Sequence, residues 1–347
     1  MTRRAVRRLI ALGTLALLSV PTHDADAATR RARRRTPVRR SQPRRPPPPP
    51  VVIVADPGSA EDVAVGEACR RGLGTLNGSV VAMDPKTGRV IAVVNPGQGV
   101  ERAYQPCSVF KIVVGLAGLT EGVITPESTY NCDGHCWLWP GHGPIDLRRA
   151  LASSCNSYFE WVGEKLGYAK VQHYARLLGL GAPSGVNVGG ETAGILPLFV
   201  PPDRVAITSS HAKGIATSAL QLGVLLSATV NGGTVFQPQV APRAHFVPKV
   251  RWSLPANTVT AGMAEGFLGA VNEGSASTAF DPEIIVAGKT GTCAGVGWLA
   301  SYAPADDPKI VIVTFVNPGS GHLASTVGGR VYQFLYKPSP PVVLSGG

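Results

Sequence analysis

A serine and a lysine three residues apart, Ser108 and Lys111, form the pair in this sequence whose spacing most directly suggests covalent chemistry. They open an apolar run over residues 112–119, which predicts a buried helix. Residues three apart share one helix face, so the Lys111 amine can reach the Ser108 hydroxyl. A desolvated amine and the positive end of a helix dipole both ease deprotonation of a hydroxyl. Ser108 is therefore a candidate nucleophile, although this spacing also occurs by chance.

Two further motifs follow in an informative order. The triplet Ser154-Cys155-Asn156 lies between predicted helices at 145–153 and 158–166. The run Lys289-Thr290-Gly291-Thr292 lies in a predicted strand. Ser-x-x-Lys, Ser-x-Asn and Lys-Thr-Gly in this order are typical of penicillin-binding proteins and serine β-lactamases. A single match would carry little weight, but three in order and in the right context predict an acyl-transfer site.

The elements that must position these motifs form strands near both ends of the chain and helices between them. Strands are predicted at 78–84 and 89–95, and again at 284–287, 298–303 and 310–316, whereas 176–203 reads as irregular. This pattern predicts an α+β fold: an antiparallel sheet flanked by helices, with a mainly helical lobe inserted, and the site at their seam.

The sequence around the motifs resembles the transpeptidase domain of class B penicillin-binding proteins. The resemblance covers roughly residues 58–337 and implies a β-lactamase/transpeptidase-like fold. The similar stretches are Val80–Gly88, Gly143–Leu147, Ala152–Phe159, Leu178–Gly181, Leu220–Gln221 and Asn231–Gly233.

The resemblance implies a role for each motif residue. Ser108 would attack the D-alanyl-D-alanine carbonyl of a peptidoglycan stem peptide, or a β-lactam inhibitor, with Lys111 as base. Ser154 would relay the proton to the leaving group, and Lys289 would supply a positive field. Substrate binding would fall to Asn156, Thr290, Gly291 and Thr292, and the backbone N–H groups of Ser108 and Thr292 would form an oxyanion hole. The expected activity, a serine D,D-transpeptidase, needs no cofactor and no metal.

Three alternatives stay open at this point. They are a D,D-carboxypeptidase, a serine β-lactamase and a non-catalytic module that senses β-lactams or binds the wall. A β-lactamase must deacylate rapidly, yet the glutamate-bearing loop of class A enzymes is not found between Leu166 and Pro197. Glu191 instead matches the structural glutamate of penicillin-binding proteins. We therefore expect slow deacylation.

Three of the six cysteines flank the motifs. Cys107 and Cys293 occupy the relative positions of a disulfide in some class A carbapenem-hydrolysing lactamases, and this resemblance implies a Cys107–Cys293 bond; the alternative is two buried thiols. Cys132–Cys136 is a weaker candidate for a second bridge. The spacing of Cys132, His135, Cys136 and His142 also fits zinc, but an oxidised pair or a structural flap is favoured in an exported chain.

The net charge of +11 comes from the N-terminus, where 13 arginines fall within the first 45 residues and the rest of the chain carries 20 basic and 20 acidic residues. The folded part is therefore not expected to bind nucleic acid. Residues 1–27 resemble a secretory signal, which predicts export to the periplasm or cell envelope, with a membrane tether if it is not cleaved. Residues 28–57 predict a disordered Arg/Pro-rich tether that could contact anionic envelope polymers or lipid, and 338–347 a tail.

Overall fold

A computed structural model of the chain describes residues 49–255 and 261–337. The strands are β1 (Val52–Val54), β2 (Gly78–Met83), β3 (Val90–Val94), β4 (Tyr130–Cys132), β5 (Gly143–Ile145), β6 (Thr234–Phe236), β7 (Val250–Ser253), β8 (Ala287–Cys293), β9 (Val296–Ala303) and β10 (Ile310–Val316). The helices are α1 (Ala60–Leu73), α2 (Pro96–Gly99), α3 (Lys111–Thr120), α4 (Leu147–Ser153), α5 (Asn156–Leu166), α6 (Tyr168–Leu177), α7 (Val205–His211), α8 (Ala219–Val230), α9 (Ala264–Asn272) and α10 (Gly321–Tyr336).

The central sheet joins the two ends of the described chain. Its six strands run in the order β1-β3-β2-β10-β9-β8, and every neighbouring pair is antiparallel. The central pairing places Val311 opposite Met83 and Val313 opposite Val81. Strand β8, which carries the Lys289 motif, is consequently an edge strand. This arrangement confirms the α+β prediction and the completion of the sheet by segments distant in sequence.

Both faces of the sheet are covered by helices. All residues of β2, β3, β9 and β10 are buried, which explains their nearly continuous apolar sequences. Val80 and Ala82 face a cluster that includes residues of α1 and α10, whereas Val81 and Met83 face the larger cluster shared with α8 and the helical lobe. The alternation along β2 thus assigns one residue set to each layer.

Helix α3 lies at the centre of the helical lobe. From Lys111 to Leu119 every residue is buried, as expected for a helix that is apolar all round. It contacts α5, α6 and α7. The Ser108–Lys111 motif opens this helix, so core packing on all sides fixes the position of the motif.

Two sequence predictions of the fold need correction, and two helices were missed. β1 lies inside the predicted 28–57 tether, because the β-branched run Val51–Val54 pairs with β3. Helices α6 and α7 were not predicted, and no strand forms over 284–286. The predicted signal, the tether up to residue 48 and the tail at 338–347 lie outside the described residues. Within the described ranges, no helix combines the length and apolarity needed to cross a membrane.

A buried ion pair ties α1 to the sheet, and we predict that the fold depends on it. Arg89 Nη1 donates to Asp62 Oδ1 at 3.0 Å, and both side chains are almost fully buried. Asp62→Ala leaves a buried, uncompensated guanidinium, so we expect the free energy of unfolding to fall by roughly 3–5 kcal/mol in denaturant titration. The neighbouring Glu61 makes only an exposed pair with Arg243, so Glu61→Ala should change it by less than about 1 kcal/mol. Equal effects of the two substitutions would contradict this interpretation.

Candidate active site

The three motifs meet in one cleft of about 370 Å³ between the sheet edge and the helical lobe. Ser108 lies in a 3₁₀ turn, Cys107–Phe110, that leads directly into α3. Ser154 follows α4, and Asn156 begins α5. The described residues that line the cleft are Ser108, Trp137, Ser153, Ser154, Asn156, His211, Ser275, Thr290, Thr292, Ser320, Gly321 and His322.

Lys111 joins the first two motifs through a buried amine. Its Nζ donates to the Ser154 carbonyl at 2.7 Å and to Asn156 Oδ1 at 2.7 Å, and lies 3.2 Å from Ser154 Oγ. Burial lowers the pKa of Lys111 to about 7, against the opposing fields of Cys155, Cys136 and Glu160. An amine with this pKa can accept a proton near neutral pH.

The link between α4 and α5 presents the Ser-x-Asn residues. Asp146 caps α4 by accepting from the Arg149 N–H at 2.8 Å. The helix ends at Ser154, which has a left-handed backbone (φ 57°), and α5 starts after Cys155. The sharp reversal directs Ser154 and Asn156 at Lys111. A left-handed backbone costs free energy at a non-glycine residue, and such backbone strain is common at functional sites.

Strand β8 forms the opposite wall. Thr290 Oγ1 donates to Ser275 Oγ at 2.7 Å, and Thr292 Oγ1 accepts from the Gly321 N–H at 2.7 Å. Lys289 is fully buried, and burial together with the charge of Lys111 lowers its pKa. A Cβ at Gly291 would lie 2.6 Å from the Pro106 carbonyl oxygen. The third motif therefore needs glycine here so that the strand can pack against the nucleophile turn.

A disulfide links the two walls. Cys107, immediately before Ser108, is bonded to Cys293, immediately after Thr292, and their Cα atoms are 5.6 Å apart. This is the pairing that the resemblance implies. Cys107 also has a left-handed backbone, φ 54°. The bond therefore holds a strained residue at the start of the Ser108 turn.

The bridge expected between Cys132 and Cys136 is not formed. Both are free thiols, and each Sγ lies 3.5 Å from His142 Nδ1. Both thiols belong to a cluster with His142 and Cys155, in which one candidate ligand atom of each residue lies within 4.8 Å of the others. His135, which sequence spacing included in a zinc set, lies apart with an exposed side chain, and its carbonyl accepts from Ser157 Oγ.

Sequence reasoning missed two large side chains in the cleft. Trp137, in the loop after β4, is 61% exposed and donates its indole N–H to the Ser153 carbonyl at 3.1 Å. His211 also lines the cleft, and its Nδ1 lies 2.7 Å from Ser210 Oγ, which donates to Glu160. Burial and the charge of Lys111 lower the pKa of His211. Neither residue belongs to a motif, so only the tertiary structure reveals them.

Glu191 is engaged away from the cleft. Its carboxylate accepts from the backbone N–H groups of Ser184 at 2.6 Å, Gly185 at 2.9 Å and Val186 at 3.3 Å. These bonds close the 184–191 loop, as expected for a structural glutamate. Among the described residues that line the cleft, none is aspartate or glutamate.

A sequence model of the family described as "Penicillin binding protein transpeptidase domain" matches residues 78–334. The chain belongs to this family. Among curated proteins it is 28% identical to stage V sporulation protein D of Bacillus subtilis over 75% of this chain and 48% of that protein. It is 26% identical to the peptidoglycan D,D-transpeptidase MrdA of Haemophilus influenzae over 72% and 51% of the respective chains. The chain thus spans about half the length of these relatives.

Solved structures share the fold. Penicillin-binding protein A of M. tuberculosis, as an imipenem acyl-enzyme, superimposes with a TM-score of 0.67 at 21% identity, covering 78% of both chains. PBP2 of Helicobacter pylori, in complex with MreC, gives a TM-score of 0.70 at 19% identity, covering 78% of this chain and 62% of that one. These similarities confirm the β-lactamase/transpeptidase-like architecture.

The position of Lys111 leads to a pH prediction. If Lys111 is the base, as the sequence predicts, only its neutral amine can accept the Ser108 proton, so the rate of acylation by a penicillin should rise with pH and level off above about 8. With the pKa of Lys111 at about 7, the rate at pH 6 should be about tenfold below the plateau. Burial lowers this pKa, and the charges of Cys155, Cys136 and Glu160 oppose that lowering. Stopped-flow rates that stay flat from about pH 6 to 9 would contradict this assignment.

The disulfide leads to a second prediction. In a non-reducing digest, the peptides that contain Cys107 and Cys293 should appear as one cross-linked mass. Reduction should lower the free energy of unfolding by about 2–5 kcal/mol, because the bond closes a long loop. The Cys293→Ser variant should show the lower stability without reductant and no further loss with it. A reductant effect of equal size in that variant would assign the stabilisation to other thiols.

Proposed function

We propose that this chain is a penicillin-binding serine acyltransferase that acts as a D,D-transpeptidase on peptidoglycan stem peptides ending in D-alanyl-D-alanine. One observation carries the proposal: Ser108, the Lys111–Ser154–Asn156 network and the Thr290–Thr292 wall face a single cleft. Membership of the transpeptidase family, and relatives named peptidoglycan D,D-transpeptidase, support the same activity.

In the first half-reaction, Ser108 Oγ attacks the carbonyl of the penultimate D-alanine, and its proton passes to the neutral amine of Lys111. The tetrahedral oxyanion would be held by the backbone N–H groups of Ser108 and Thr292, each worth roughly 3–4 kcal/mol at comparable sites. Collapse breaks the C–N bond, and Ser154 relays the proton from Lys111 to the departing D-alanine amine. An ester on Ser108 remains.

In the second half-reaction, an acceptor amine attacks the ester and restores the serine. Asn156 would hold the amide of the acyl chain, and the hydroxyls of Thr290 and Thr292 with the charge of Lys289 would bind the terminal carboxylate of the donor. The absence of a carboxylate among the described cleft-lining residues favours slow attack by water. This counts against rapid turnover of a β-lactam, and the peptide assay below separates the transpeptidase from the carboxypeptidase.

The test of the nucleophile is adduct formation. Incubated with a fluorescent penicillin, the protein should gain one covalent adduct on Ser108, located by peptide mass spectrometry, that persists for many minutes. Ser108→Ala should abolish labelling and keep the melting temperature. Ser153→Ala is the matched control, since Ser153 lines the same cleft but its Oγ is bonded to the Arg149 carbonyl; it should label normally. Labelling of Ser108→Ala would remove the mechanism.

The competing reactions separate in a second assay. The protein is incubated with a peptide ending in D-alanyl-D-alanine and a D-amino acid, and the masses of the products are measured by mass spectrometry. Exchange of the terminal residue supports the transpeptidase, and loss of D-alanine to water alone identifies a carboxypeptidase. Rapid turnover of penicillin identifies a β-lactamase. A penicillin adduct without reaction of the peptide supports the sensing or wall-binding module.

We also propose export, and association of the arginine-rich N-terminal segment with anionic envelope polymers or lipid. The charge of that segment supports the proposal: nine arginines fall between residues 30 and 45. These residues lie outside the described ranges.

A further inference from the structure

We propose that Cys132, Cys136, His142 and Cys155 bind a structural zinc ion that fixes the Ser-x-Asn segment from the side away from Lys111. One candidate ligand atom from each residue lies within 4.8 Å of all the others. Three sulfurs and one imidazole nitrogen form a familiar donor set for a closed tetrahedral zinc site.

The distances between the candidate ligand atoms fit such a site. With Zn–S bonds of about 2.3 Å and a Zn–N bond of about 2.0–2.1 Å, tetrahedral geometry separates nitrogen from sulfur by about 3.5 Å. His142 Nδ1 lies 3.5 Å from Cys132 Sγ and 3.5 Å from Cys136 Sγ. These two separations are those that an ion at the centre of the cluster requires.

The surroundings of the cluster favour a metal over water as its occupant. Cys132 and Cys155 are buried, and the other two residues are partly buried. His142 Nε2 is buried and has no hydrogen-bonding partner among the described residues. The nitrogen that faces the two sulfurs is Nδ1, so the two sulfur contacts of this imidazole are on the side of the cluster.

The oxidation state of the cysteines points the same way. Cys107 and Cys293 form a disulfide in the same molecule, whereas the three thiols of the cluster stay unpaired although two of them are only four residues apart. Close thiols in an oxidising compartment normally form a disulfide. Coordination of all three as thiolates by one zinc ion accounts for their separate state.

The ligands come from two parts of the chain with different tasks. Cys132 ends β4, Cys136 lies in the following loop, and His142 immediately precedes β5. Cys155 lies between Ser154 and Asn156, the two residues that bond to Lys111. The ion would therefore join the Trp137 loop to the Ser-x-Asn segment. Zinc is a positioning element in this arrangement, because all four coordination positions are filled by protein.

Metal content is the primary test and does not depend on catalysis. The full chain, purified without chelators and dialysed against zinc-free buffer, should retain about one zinc ion per chain by plasma mass spectrometry. His142→Ala and Cys155→Ser should lose most of it. His135→Ala is the matched control, because this exposed histidine lies in the same loop and would be a ligand by spacing alone; it should keep its zinc. Metal content in the Ser108→Ala variant should equal that of the native chain, which separates this test from the proposed function.

A second measurement uses the native chain, so it tests the metal site even if the variants fail to fold. The native chain loaded with cobalt(II) should show the intense thiolate-to-cobalt charge-transfer absorption of a tetrahedral site, and zinc should abolish it. Thiol counting after denaturation in chelator should give four free thiols: the three ligands and Cys69. A native chain without zinc or charge-transfer absorption, a disulfide within the cluster, or equal zinc loss in His135→Ala and His142→Ala would overturn the proposal.

Discussion

The buried amine of Lys111 is the interaction on which the arrangement of the site depends. A lysine nitrogen without water must find partners within the protein, and here it finds the Ser154 carbonyl and Asn156 Oδ1. Those bonds connect the central helix of the lobe to a reversal between two other helices. The same desolvation that demands these partners also lowers the pKa of the amine to about 7. Desolvation of the amine therefore accounts both for its hydrogen-bonded network and for its ability to accept a proton near neutral pH.

Each wall of the cleft is held by contacts outside the reacting groups. The strand wall approaches the nucleophile turn closely because Gly291 lacks a side chain, and the Cys107–Cys293 bond fixes that approach. On the lobe side, Ser154 and Asn156 contact Lys111, whereas Cys155 between them joins Cys132, Cys136 and His142. Such supports allow left-handed backbone at Cys107 and Ser154, which an unsupported chain would avoid.

The sequence predicts much of this structure because its main signals are local. The Ser-x-x-Lys helix, the two strands before it and the C-terminal strands follow from apolar runs and turn residues, and the order of the three motifs is typical of the family. Prediction from sequence fails for contacts that exist only in the tertiary structure. Nothing near Cys132 indicates that its neighbour is Cys155, since they meet only when the Ser-x-Asn reversal packs on the loop. His211 and Trp137 likewise reach the cleft only through tertiary packing. Strand β1 was missed because it directly follows a proline run, which is typical of a disordered tether.

The pairing of β2 with β10 has a consequence for how the molecule forms. The central sheet cannot close until Val311 lies opposite Met83, so nearly the whole domain must be available before the middle of the sheet exists. Folds dominated by such distant contacts form slowly. Six cysteines offer 15 possible pairs, and in an open chain only proximity along the sequence would choose among them. The bond between Cys107 and Cys293 can therefore form selectively only after the sheet has closed, which makes oxidation a late step in the maturation of the domain.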